Sequence, residues 1–142
     1  MLSPETTIPI IQTFLKENDR LKMNSISFSI PVPKCQLYIL DAAKLLIADR
    51  TKNNFPVVYF SIDSQTKQGR KALALAGHWS IFKDYEVISN SKIFSSYRVF
   101  TSDAQLLFKE VLHIIDSLFP LVSKEQVIVN LQRIEARLTI EE

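Results

Sequence analysis

His78-Trp79 is the residue pair in this chain best placed for chemistry. An indole offers a stacking face, and an imidazole titrates near neutrality. The pair follows Gly77 at an expected helix-to-strand junction, where a side chain can be presented to a ligand. The plainer reading makes Trp79 a core anchor beneath a hairpin and His78 a cap on the preceding helix end. Lys67, Arg70 and Lys71 form a second candidate, for anions, because they sit at an expected helix start where backbone N–H groups favour negative charge. Their spacing lacks the Gly-x-x-x-x-Gly-Lys of a phosphate-binding loop, and a cluster of this size also fits a solvated surface.

The remaining reactive residues specify less. Cys35 shares the parity of Leu37 and Ile39, which makes it a small apolar filler. His113 lies near Glu110 and Asp116 at helical spacing, a weak set beside the usual Cys/His ligands of zinc. With only two histidines, no Ser-His-Asp triad is singled out. Nothing in the pattern calls for a metal or a cofactor.

The composition sets the class. The chain has 142 residues, 46% hydrophobic and 23% charged, as expected of one globular domain spanning 1–142. A formal charge of +2 is too small to imply nucleic acid. Its distribution is mildly uneven: residues 1–71 hold ten Lys/Arg against six Asp/Glu, and residues 72–142 hold seven against nine. One cysteine gives no internal disulfide. Residues 1–5 carry no basic, apolar leader pattern, and no apolar run approaches the ~20 residues that span a bilayer. The expectation is a cytoplasmic protein without membrane contact. Only two glycines occur, while aromatics crowd the middle of the chain, which suits strands.

The elements that must position these residues follow from spacing. Ile11, Phe14, Leu15 and Leu21 share a face of a helix expected over 8–22, with Thr7 as N-cap and Pro9 in the first turn. Ser25–Ile30 alternates strictly and reads as a strand, Pro31-Val32-Pro33 as a turn or edge, and Cys35–Leu40 as a second strand. Residues 41–50 fit a short helix or a turn and strand. Val57–Ile62 is apolar on both faces, which suggests a central strand. A helix starts within 63–71 and runs to Ala76, with Gly77 closing it, although Ala72–Ala76 also alternates. Residues 81–88 and 92–100 read as a hairpin in which Tyr85, Val87, Ile93, Tyr97 and Val99 share a parity.

Two capping boxes, Ser102-x-x-Gln105 and Ser123-x-x-Gln126, then announce helices on either side of Pro120. The first of these, over 103–119, carries an apolar face too wide for one cover. Leu107, Val111, Ile114 and Leu118 are expected on the sheet. Leu112, Ile115 and Phe119 are expected against the second helix or another subunit. Val127, Leu131, Ile134 and Leu138, with Ile128 beside them, give that second helix a seam spaced 4, 3 and 4.

The prediction is an α+β domain. It has a mostly antiparallel sheet of about four or five strands, an N-terminal helix, one or two inserted helices and a C-terminal helical hairpin. In outline this order is similar to that of small adaptor folds, among them roadblock-type domains and the chaperone-like domains of secretion systems. The likeness is one of fold alone. The functional expectation is a non-catalytic interaction or regulatory module that self-associates through its apolar helical surface, with a protein partner or second copy favoured over nucleic acid. The alternatives are nucleic-acid or phospholigand binding at residues 67–71, and a small enzyme using His78 as acid or base.

Overall fold

A computed structural model describes residues 1–17, 24–42, 55–79 and 81–133. Six antiparallel strands form one open sheet: β1 (Asn24–Ser29), β2 (Cys35–Asp41), β3 (Pro56–Asp63), β4 (Glu86–Asn90), β5 (Ile93–Val99) and β6 (Ile128–Arg133). Their order across the sheet is β4-β5-β3-β2-β1-β6. Three helices, α1 (Pro4–Glu17), α2 (Lys67–Trp79) and α3 (Ala104–Leu118), pack against one face of it.

The helix-bearing face is apolar. Ile26 and Phe28 of β1, Leu37 and Ile39 of β2, and Val58, Phe60 and Ile62 of β3 join one core with Ile11, Phe14, Leu107, Val111 and Ile114. Period-two alternation delivers the strand residues, and helical spacing delivers the rest. Phe60 is the hub of an aromatic cluster. Its ring stacks on Phe82 at 5.4 Å and meets Phe94 at 6.5 Å and Phe119 at 6.3 Å. Phe82 also meets Tyr85 edge-on at 5.0 Å. Four of the mid-chain aromatics, Phe60, Phe82, Tyr85 and Phe94, thus belong to one cluster that holds the segment before β4 onto the sheet.

Local signals explain the helix limits. Ser3 Oγ accepts from Thr6 N–H at 3.3 Å, so α1 starts at Pro4, and Thr7 and Pro9 lie inside it. Residues 18–22 of the expected helix lie outside the described residues. Thr66 Oγ1 accepts from Gly69 N–H at 2.9 Å and donates to the Asp63 carbonyl at 2.9 Å, which caps α2. A Cβ on Gly69 would stand 1.9 Å from that carbonyl, so this closeness requires glycine. Gly77 continues α2 through to Trp79 and does not end it. Asp103, one residue beyond the expected Ser102, caps α3 by accepting from Gln105 and Leu106 N–H at 3.0 and 3.2 Å.

Three further expectations are corrected. The sheet has six strands, not four or five. Among the described residues the C-terminal helical hairpin is not formed, because the Ser123 box caps only a single 3-10 turn, Lys124–Gln126. The box itself is present, with Ser123 N–H donating to the Gln126 side chain at 3.0 Å. Val127-Ile128-Val129 then goes extended, as three successive β-branched residues favour, and β6 pairs with the free side of β1 in unbroken register from Ser29↔Ile128 to Asn24↔Arg133. The wide apolar face of α3 is covered by the sheet, α1 and α2 instead. Lastly, a bulge between Val87 and Ser89 breaks the expected parity of the hairpin. Val87 pairs with Ser96 on the helix-bearing face, whereas Ile93, Tyr97 and Val99 lie on the other. Residues 43–50 of the ambiguous segment lie outside the described residues, and Asp41 belongs to β2.

Candidate interaction surface

The expected ligand residues are strung along α2. Lys67, Arg70 and Lys71 are exposed on its first two turns. His78 and Trp79 close the same helix, roughly 10 to 18 Å away along its axis. The side chains of His78 and Trp79 lie outside the described residues, so α2 supplies the order of these groups and not a shared site. The Arg70 guanidinium turns back to donate to the Gln65 carbonyl. Beneath the cations, Asp63 accepts from Gln65 N–H at 2.8 Å and pairs with Lys34 at 3.5 Å. The start of α2 therefore carries a carboxylate as well as three positive charges.

Cys35 sits at the start of β2 on the core side, and burial pushes its thiol up to about 12. A thiol held neutral to that degree is a poor nucleophile at physiological pH. His113 is exposed on α3, with Nδ1 3.5 Å from Ser117 Oγ. It lines a groove of about 550 Å³ between α3 and the end of β5, with Arg98, Phe100, Lys109 and Glu110. Arg98 lies over the Phe100 ring, 4.7 Å from its centre. Glu110 accepts a hydrogen bond from the Tyr85 hydroxyl. Burial first, and the nearby carboxylate second, raise the Tyr85 pKa, so the phenol stays protonated and its bond braces the segment before β4 against α3. Among the described residues no group of three His, Cys, Asp or Glu side chains could hold a metal ion, and no helix is long and apolar enough to cross a membrane.

The residues expected at an interface divide by burial. Ile115, Phe119 and Val127 are buried inside the chain, and Phe119 packs on Phe60. Leu112 is half-buried on α3. Ile128 and Leu131 are 57% and 39% exposed on β6, at the rim of the sheet. Ile134 and Leu138 lie outside the described residues.

The face of the sheet turned away from the three helices was not legible as a surface in the sequence. Strand register aligns Asn130, Ser27, Tyr38, Tyr59, Tyr97 and Glu86 in one row across all six strands. Tyr38 and Tyr59 are stacked, with ring centres 6.3 Å apart. A second row holds Gln36, Ser61, Ser95 and Ser89. Burial raises the pKa of Tyr38 and Tyr97, helped by Tyr59 in the first case and Glu86 in the second, so these two phenols stay protonated. This face is only partly open: Ser61, Ser95 and Ser89 are buried, and Leu40, Ala42 and Val57 form a second buried apolar cluster against which Tyr38, Tyr59, Tyr97 and Val99 pack. The strand residues that bear charge on this face, Asp63 and Glu86, are acidic, which does not suit a phosphate backbone.

Comparison with known proteins finds no matching family, no matching relative and no matching solved structure.

Proposed function

We propose that this protein is a non-catalytic interaction module that self-associates. The observation that carries this reading is the rim of the sheet at β6, where apolar Ile128 and Leu131 are exposed beside a side of the strand that, among the described residues, has no partner. An edge of this kind is a template for another strand. Sedimentation across a concentration series tests the reading, with a mass that rises from one chain to a discrete multiple expected. A strict monomer at high micromolar concentration would remove self-association.

A second reading, binding of a phospholigand or nucleic acid, draws on the exposure of Lys67, Arg70 and Lys71 together on the first turns of α2. Release of counterions would make such affinity fall steeply with salt. If changing all three to Ala leaves heparin retention unaltered, this reading fails.

A further inference from the structure

We infer that the second copy adds along β6, antiparallel and about a two-fold axis through Asn130, so that two sheets become one of twelve strands. The inference rests on the self-association reading and supplies its site. Four observations carry it. Among the described residues, β6 ends the sheet, with β1 on one side of it and no strand on the other. Its pairing with β1 is straight over six consecutive residues, so its outer row of N–H and C=O groups is presented without a kink. Native edges are usually blunted by Lys, Glu, Pro or a bulge, yet Ile128-Val129-Asn130-Leu131-Gln132 contains no charged residue and no proline. Ile128, Asn130, Leu131 and Gln132 are all exposed.

The occupant follows from the strand's own sequence. With Asn130 opposite the Asn130 of a second copy, Val129 comes to face Leu131, and Ile128 comes to face Gln132. Val129 and Leu131 lie on the helix-bearing face, opposite Phe28 and Ile26 of β1, so this match extends the apolar core across the junction. Asn130, in the row of Tyr38 and Tyr59, can exchange side-chain hydrogen bonds with its own copy. Antiparallel ladders alternate between hydrogen-bonded and non-bonded pairs. An axis through a residue is compatible with either kind, so the two-fold works whichever set of β6 groups points outwards. Such an isologous contact uses up both β6 edges and closes at two copies.

Asn130→Lys and Asn130→Asp test the axis on the full-length chain. Asn130 is exposed, so each variant should match the wild type in circular dichroism, and in thermal midpoint at a concentration low enough for all to be monomeric. Each alone sets like charges face to face, and its dimer dissociation constant should rise by about tenfold or more. Mixed in equal amounts, the two variants should recover a dimer containing one chain of each. If the wild type is monomeric, both this inference and the self-association reading fail. If the wild type is dimeric and Asn130→Lys leaves its mass unchanged, self-association stands and the β6 site is wrong. Weakening by each variant without recovery on mixing would overturn the two-fold at Asn130.

Discussion

At the β4 edge Val87 is 52% exposed and Ile93, at the start of the neighbouring β5, is 50% exposed; at the β6 edge the values for Ile128 and Leu131 are 57% and 39%. Side-chain exposure therefore does not separate the two rims. Backbone and charge do. β4 has five residues, begins with Glu86 and is bent by the bulge between Val87 and Ser89, so its outer groups cannot make a long ladder. β6 has six residues in continuous register and meets its first charge only at Arg133. One rim is guarded and the other is not, although both carry comparable apolar surface. Strand geometry, more than hydrophobicity, decides where a sheet can be extended.

The sharpest way to strain this comparison is to remove the support of the guarded side. Phe60→Ala takes away the hub that touches Phe82, Phe94 and Phe119, and should cost about 3–5 kcal/mol in urea unfolding. Amide exchange should then quicken in β4 and β5 before β6, and uniform quickening would contradict a separate aromatic foundation for the β4 side. The matching change on the open side, Val127→Ala, deletes a fully buried side chain just before β6 and should cost about 2 kcal/mol. Here exchange in β6 should rise first. Removing Ile88, the residue between the two shifted pairs, would straighten β4. Its unfolding cost should be smaller, but a second association, beyond that of the wild type, should appear in sedimentation. An unchanged mass would mean that Glu86, not the bulge, guards the rim. The smallest effect is expected of Ser96→Ala. The Ser96 hydroxyl is buried opposite Val87 and has no hydrogen-bond partner among the described residues, so its loss should raise stability by about 1 kcal/mol, read as a higher urea midpoint.

The two rims also differ in how far the chain announced them. β1, β2 and β3 could be read because their alternation or apolar density is a local property, and α3 because its periodicity is strong and Pro120 follows it. β6 could not, because Val127, Leu131, Ile134 and Leu138 fit a helical seam while Val127, Val129 and Leu131 fit a strand equally well. The open side of β1 accompanies the extended choice, and that partner lies far away in the chain. The bulge misled in a similar way, since it is defined by pairing with β5 and leaves no mark in Glu86–Asn90 itself. The tyrosine row needed the register of three strands at once. Of the expected ligand groups, the chain correctly placed cations near the start of α2, but only helix length revealed how far His78 stands from them.

The distance in sequence between β1 and β6 also bears on how the chain emerges during synthesis. Ile26 and Phe28 are translated roughly a hundred residues before Leu131 and Val129, their partners across the sheet. Throughout that interval β1 can pair with β2, but its other side has no native neighbour. Contacts of such long sequence separation form late, and open strands are where nascent chains stick to one another. Ribosomes following closely on one message would bring several waiting β1 strands together. The window for misassembly therefore closes only when residues 128–133 are free to pair with β1, and slower translation of residues 35–127 should lower the soluble yield.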